Sequence, residues 1–197
     1  MASNRNRWRD HYTRRATREN YPARSVYKLQ EMQRRYKLIR KGDRVLDLGC
    51  SPGSWLLYAA ELTTGSGQVT GIDRQPVTVS LPGHVSVYSG DVTSQTEALI
   101  EQIGDSFQVV LSDMAPATTG VKDVDAARSL QLCYTALHFA DKLLQPGGNF
   151  ACKIFQGGES AEFSEAVKQR FKTDRIYKPR SSRKASREIY IIGIGKI

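Results

Sequence analysis

Four ionisable residues lie where simple surface charge is not expected. Lys153 sits inside the apolar run Phe150-Ala151-Cys152-Lys153-Ile154-Phe155, where burial and a neighbouring cation would push the amine towards the neutral form that accepts a proton. Lys28, on an early helical stretch, is a candidate for that cation. Asp113 ends one apolar strand and Glu188 opens another. Such a set suits proton removal from a hydroxyl too weakly acidic to ionise at neutral pH, a task shared between positioning and a tuned base. The plainer alternatives are a strand-edge lysine reaching water for Lys153, an exposed helical lysine for Lys28, and a surface pair with Lys178 for Glu188. Asp113-Met114-Ala115-Pro116 at a strand end has little structural reason to exist.

A second group points to a bound ligand. The turn Gly49-Cys50-Ser51-Pro52-Gly53 joins a strand to a helix, and its small residues let a ligand approach the backbone near a helix N-terminus. Asp73 closes the next strand about 20 residues on, where a carboxylate can accept both ribose hydroxyls of an adenosine. Asp91, after the third strand, would receive an adenine amino group. Each acid alone could be a cap or a surface residue. The turn lacks the G-x-G-x-x-G spacing, and no G-x-x-x-x-G-K-[ST] loop occurs anywhere, which disfavours a nicotinamide dehydrogenase and a P-loop enzyme.

These residues need a scaffold that gathers strand ends. Hydrophobic patterning predicts strands over 44–48, 68–72, 85–88, 107–111, 149–155, 175–177 and 189–194. Helices are expected over 23–36, 54–62, 95–103, 124–144 and 161–170, the long one ending at a Pro146-Gly147-Gly148 turn. Alternating strands and helices imply an α/β fold, a mostly parallel seven-stranded sheet with helices on both faces. The last two strands have no helix between them and should form a C-terminal β-hairpin. Ligands in such sheets bind beyond the carboxyl ends of the strands.

The 197 residues fit one domain, 23–197, preceded by a basic, flexible arm over 1–22. Three scattered histidines and three cysteines (Cys50, Cys133, Cys152) form no metal-ligand pattern and no disulfide frame. The sequence offers neither a signal peptide nor a spanning segment, so a cytoplasmic protein without membrane contact is expected. The net charge of +9 is unevenly spread. Residues 1–41 carry 13 Lys/Arg against 3 Asp/Glu, and residues 172–187 carry 7 against 1, so the remaining body is acidic. Two basic segments on an acidic body suit a polyanion, and RNA fits better than a membrane because no broad amphipathic basic helix is evident. Trp8, Tyr12, Tyr21, Tyr27 and Tyr36 interleave the first segment and suit stacking on bases, although Tyr27 and Tyr36 would equally pack a helix.

Taken in order, the motifs resemble a known family. Asp47-Leu48-Gly49, Pro52-Gly53, Asp73 and Asp91 are similar to class I S-adenosylmethionine-dependent methyltransferases of Rossmann-like fold. Arg24-Ser25-Val26-Tyr27-Lys28-Leu29, Pro52-Gly53-Ser54-Trp55, Ser112-Asp113-Met114-Ala115-Pro116, Lys153-Ile154-Phe155-Gln156-Gly157, and Lys178 to Arg183 leading to Ser186-Arg187-Glu188 resemble the FtsJ-type RNA 2′-O-methyltransferases. The resemblance implies S-adenosyl-L-methionine as cofactor and a ribose 2′-hydroxyl as acceptor. The nearest kind, by size, modifies a uridine of large-subunit ribosomal RNA. It implies a catalytic tetrad of Lys153 as proton acceptor, Asp113, Lys28 and Glu188, with Gly49, Gly53, Trp55, Asp73, Asp91 and Asp113 at the cofactor. No metal is required, because the sulfonium leaves as a neutral thioether. Trp55 would otherwise be a core residue. Ser54 and Ala117 depart from a glycine and an asparagine common in the family, and Thr118-Thr119-Gly120 would begin a mobile loop. The expected partner is ribosomal RNA, free or within an assembled large subunit, bound by a monomer. Transfer RNA, an mRNA cap, and a non-catalytic RNA-binding role in ribosome assembly are the competing readings.

Overall fold

The computed structural model describes residues 11–104, 106–157, 160–183 and 185–197. Trp8 and the first three arginines of the basic arm lie outside them.

The strands are β1 (Arg44–Leu48), β2 (Gln68–Asp73), β3 (Val85–Ser89), β4 (Phe107–Ser112), β5 (Leu144–Phe155), β6 (Phe171–Tyr177) and β7 (Glu188–Lys196). They form one seven-stranded sheet in the order β3-β2-β1-β4-β5-β7-β6. The neighbours from β3 to β5 pair in parallel, and β7 runs antiparallel to both β5 and β6. The strand order reverses around β1 and β4, so a crevice opens beyond their carboxyl ends. Because β7 runs the other way, its first residues reach that same edge: Glu188 pairs with Phe155 and Tyr190 with Lys153.

The helices are α1 (His11–Arg18), α2 (Val26–Tyr36), α3 (Ser54–Thr63), α4 (Thr96–Ile103), α5 (Lys122–Leu143) and α6 (Ser160–Lys168). Side chains alternate between faces along a strand. Val45, Val109, Leu111, Ala151, Tyr190 and Ile192 therefore share one face, packed with Leu29 and Met32 of α2 and Leu56 of α3. Leu46, Val110, Phe150 and Cys152 face the other way, towards α4, α5 and α6. By the same alternation Asp47, Asp113, Lys153 and Glu188 belong to the face that α2 covers. Lys28, one residue before Leu29 on α2, comes down onto them.

Several boundaries differ from expectation, each for a tertiary reason. The helix expected from residue 23 begins at Val26, because Ala23 is held outside it: its N–H donates to Ser54 Oγ at 2.8 Å, and the same hydroxyl donates to the Ala23 carbonyl at 3.1 Å. The long helix stops at Leu143, and Pro146-Gly147-Gly148 lies within β5, whose first residue pairs with Phe107 ahead of a register shift. Part of the supposed arm is ordered. Residues 11–18 form α1, where Ala16 is buried against Val26 and Tyr27, with Tyr12 and Tyr21 around them. Tyr27 is thereby a packing residue, 2% exposed. No helix among the described residues is long and apolar enough to cross a membrane.

Candidate active site

The four residues of the expected tetrad meet at the edge where β4, β5 and β7 converge. Lys153 Nζ lies 3.1 Å from Asp113 Oδ1 and also donates to the Asp113 carbonyl. Lys28 Nζ lies 3.6 Å from the same Asp113 oxygen and 3.0 Å from Glu188 Oε2. Two cations and two carboxylates thus alternate in a chain, each side chain at most 16% exposed. The lysine-at-the-surface alternatives for Lys153 and Lys28 do not hold.

The end of α2 is anchored to keep Lys28 there. Buried Gln33 donates to the Ile39 carbonyl at 2.7 Å and accepts from the Ile39 N–H at 2.9 Å, while Asn149 donates to the Leu38 carbonyl. Trp55 fixes the other end, its indole N–H donating to the Ser25 carbonyl at 2.8 Å. The Trp55 ring is buried in the core beside Tyr190, with ring centroids 6.0 Å apart. Gly53, at φ +107°, serves as N-cap of α3, where a Cβ would come within 2.9 Å of Val77 and Val79. Ser54, the departure from glycine, supplies the hydroxyl clamp on Ala23 that a glycine lacks.

Burial by itself opposes ionisation of Asp113, but Lys153 and then Lys28 outweigh it and hold the carboxyl below its ordinary range. Glu188 is also held low, burial being outweighed chiefly by Lys28. Tyr190, which the sequence pattern alone did not single out, donates its hydroxyl to Asp113 Oδ1 at 2.5 Å. Burial, then the charges of Asp113 and Glu188, push its phenol well above the usual value, so it remains a donor. The signal was present in the spacing: Tyr190 follows Glu188 by two residues on one strand and shares its face.

A cavity of about 470 Å³ opens beside Asp113, lined by Gly49, Asp73, Asp91, Met114 and Arg128 among others. Gly49 takes φ +77°, and a Cβ there would come within 2.5 Å of the Met114 side chain. Asp73 accepts from the Ser51 and Gln75 backbone N–H groups, one bond per oxygen, which leaves each oxygen a further acceptor position for a hydroxyl. Asp91 is held ionised mainly by the Thr93 hydroxyl and N–H, with Arg74 at 3.5 Å from its other oxygen. Thr119 and Gly120, expected in a mobile loop, are tied by their N–H groups to the Asp125 carboxylate.

Asp47 lies behind this cavity, 1% exposed, and among the described residues neither carboxylate oxygen has a hydrogen-bond partner. Burial, then the charges of Asp113 and Asp73, raise its carboxyl well above the ordinary range. The acidic surroundings, the paired acceptors on Asp73 and the unpartnered Asp47 fit a ligand that brings positive charge, vicinal hydroxyls and an amino group. S-Adenosylmethionine carries all three.

Comparison with known proteins agrees with this geometry. The family model described as FtsJ-like methyltransferase matches residues 21–196. The Ribosomal RNA large subunit methyltransferase E of Desulforapulum autotrophicum is 57% identical over 97% of this chain and 94% of its own, and that of Desulfatibacillum aliphaticivorans is 50% identical over 97% and 92%. A crystal structure of a Plasmodium falciparum protein assigned as a ribosomal RNA methyltransferase superposes with a TM-score of 0.77 at 26% identity, covering 89% of this chain and 98% of that one. With its fold, its ordered motifs and its convergent strand-end residues all pointing the same way, the chain belongs to the FtsJ-like methyltransferase family.

Proposed function

We propose that this enzyme methylates a ribose 2′-hydroxyl of a uridine in large-subunit ribosomal RNA, using S-adenosyl-L-methionine, as a monomer in the cytoplasm. The observation that carries the reading is the convergence of Lys153, Asp113, Lys28 and Glu188 beside a cavity whose acids suit an adenosyl sulfonium. The relatives' names, which refer to ribosomal RNA of the large subunit, support the substrate.

When bound, the cofactor supplies an electrophilic methyl group. Asp73 would hold its ribose, Asp91 its adenine, and Gly49 and Asp113 the portion nearer the reacting centre. Lys153 Nζ, in its neutral form, takes the proton of the 2′-hydroxyl as the oxygen attacks. Asp113 aims that amine through its side chain and its carbonyl. Lys28 also keeps the Asp113 carboxylate paired. Glu188 in turn holds Lys28, and Tyr190 fixes the Asp113 oxygen. A positioned base of this type contributes about 10²–10⁴-fold to rate.

The test is transfer of a labelled methyl group to ribosomal subunits, free ribosomal RNA and transfer RNA, followed by mapping of the modified ribose. Incorporation at one large-subunit uridine, lost in Lys153→Ala, is expected. A Lys153→Ala protein that methylates at the parental rate overturns the mechanism, and label appearing only in transfer RNA overturns the substrate.

A further inference from the structure

A second concavity, about 320 Å³, lies on the same side of the sheet as the tetrad and away from the cofactor cavity, lined by Tyr12, Arg15, Tyr27, Glu31, Arg34, Arg35, Tyr177 and Arg180. It joins two stretches far apart in sequence, the first basic segment and the 172–187 segment. Four arginines face one acid, and that acid is already engaged: Glu31 accepts from the Arg180 N–H at 2.7 Å, the Ser181 N–H at 2.9 Å and the Tyr177 hydroxyl at 3.0 Å. Three of the carboxylate's acceptor positions thus pin the loop after β6 onto α2. Arg15 is paired with Glu19. Arg35 and Arg180, both exposed, have no carboxylate partner among the described residues, and the Arg35 guanidinium lies over the Tyr36 and Tyr177 rings.

The groove is in register with the catalytic cluster. Lys28, Glu31 and Arg35 are spaced i, i+3 and i+7 on α2, one face of the helix, so Arg35 stands about 10 Å along the axis from Lys28. That distance is roughly three stacked nucleotides at ~3.4 Å each, and fewer when the strand is unstacked. Surplus guanidinium charge beside tyrosine rings is the chemistry that holds a backbone phosphate and an unpaired base.

Resting on the methyltransfer reading above, we propose that this groove is a second RNA subsite, which grips a phosphate and base of a nucleotide flanking the target, on the same strand as the methylated ribose. Glu31 is its positioning residue and sets the place of Arg180.

The test uses the full-length enzyme with protein-free large-subunit ribosomal RNA and with assembled large subunits. Arg35→Ala/Arg180→Ala should raise KM for RNA at least about tenfold with a much smaller fall in kcat, and should flatten the slope of log affinity against log salt by about 0.7 for each phosphate the variant no longer neutralises. Affinity for S-adenosylmethionine should stay at the parental value. Photo-cross-linking of 4-thiouridine-substituted RNA to the parental enzyme should label peptides from residues 11–36 or 171–183. A parental KM and salt slope in the double variant, or cross-links confined to other peptides, overturns the subsite while leaving the methyltransfer reading intact. A defect seen only on assembled subunits would assign the groove to a ribosomal protein and also overturn it. A parental enzyme that methylates no ribosomal RNA removes the reading on which the subsite rests.

Discussion

Two carboxylates on the same face of the sheet, Asp47 in β1 and Asp113 just beyond β4, have opposite electrostatic fates. Asp47 is buried and Asp113 largely so, its side chain 16% exposed, and both strands are central. Asp113 has two ammonium groups and a phenol around it and is held ionised. Asp47 has no hydrogen-bond partner among the described residues, and burial beside two other acids drives it towards the protonated form. Burial alone therefore does not set the charge of a carboxyl. The neighbours that desolvation brings with it decide the sign. One region of the site is complete in the protein itself, whereas the other is an acidic recess that a cationic ligand would complete.

The sharpest break of this contrast is at the paired end. Lys153→Ala should lower kcat by about 10²–10⁴-fold while cofactor affinity, measured by calorimetry, changes little. Next in size is Asp113→Asn, which leaves buried Lys153 without its carboxylate and Lys28 with Glu188 alone, and should destabilise the fold by about 3–5 kcal/mol at pH 7. Its pH dependence follows from the lowered folded-state value. The stabilisation from Asp113 is fully present above the ordinary carboxylate range and is lost as pH falls through the lower folded-state value, so the parent and the variant should converge in acid.

Smaller effects test the unpaired end. Asp73→Ala should weaken cofactor binding about 10–100-fold, because it removes both ribose acceptors and releases the Ser51 N–H. Asp47→Asn should have the opposite sign from Asp113→Asn. A raised folded-state value means that the native protein holds this proton more tightly than the unfolded chain, so Asp47 erodes stability as pH rises from the carboxylate range towards neutrality. The ligand-free Asn variant should melt at least about 2 °C above the parent at pH 7, with the gain shrinking near pH 4. An Asp47→Asn protein that melts below the parent at neutral pH would refute the contrast. The smallest effect expected is for Trp55→Phe, which loses one hydrogen bond to Ser25 and about 1 kcal/mol of stability, with cofactor affinity nearly unchanged.

Much of this is legible in the amino-acid sequence. Alternating apolar strands and periodic helices specify a parallel α/β sheet, and the absence of a helix between residues 177 and 188 specifies the hairpin. Lys153 in an apolar strand and acids just after strand ends are local signals. A large aromatic beside a glycine turn suits a ligand pocket and a core equally well, and the burial of Trp55 with α2 and α3 residues is decided by tertiary packing. The N-terminal arm misled because its charge is visible in the sequence, whereas its few packing residues, Tyr12, Ala16 and Tyr21, acquire a hydrophobic surface only once α2 is in place.

The sequence by itself determined the element types, the strand ends that carry ionisable groups and the two basic segments, because periodicity, turn residues and charge are properties of neighbours along the chain. Tertiary structure alone decided that Asp113 is paired and Asp47 is not, that Tyr190 joins the cluster, and that Arg35 and Arg180 share a groove. Those outcomes depend on contacts between residues as much as 160 positions apart, such as Lys28 and Glu188 at 3.0 Å. Strand order, the reversed direction of β7 and the seating of α2 set these distances, and no local pattern encodes them.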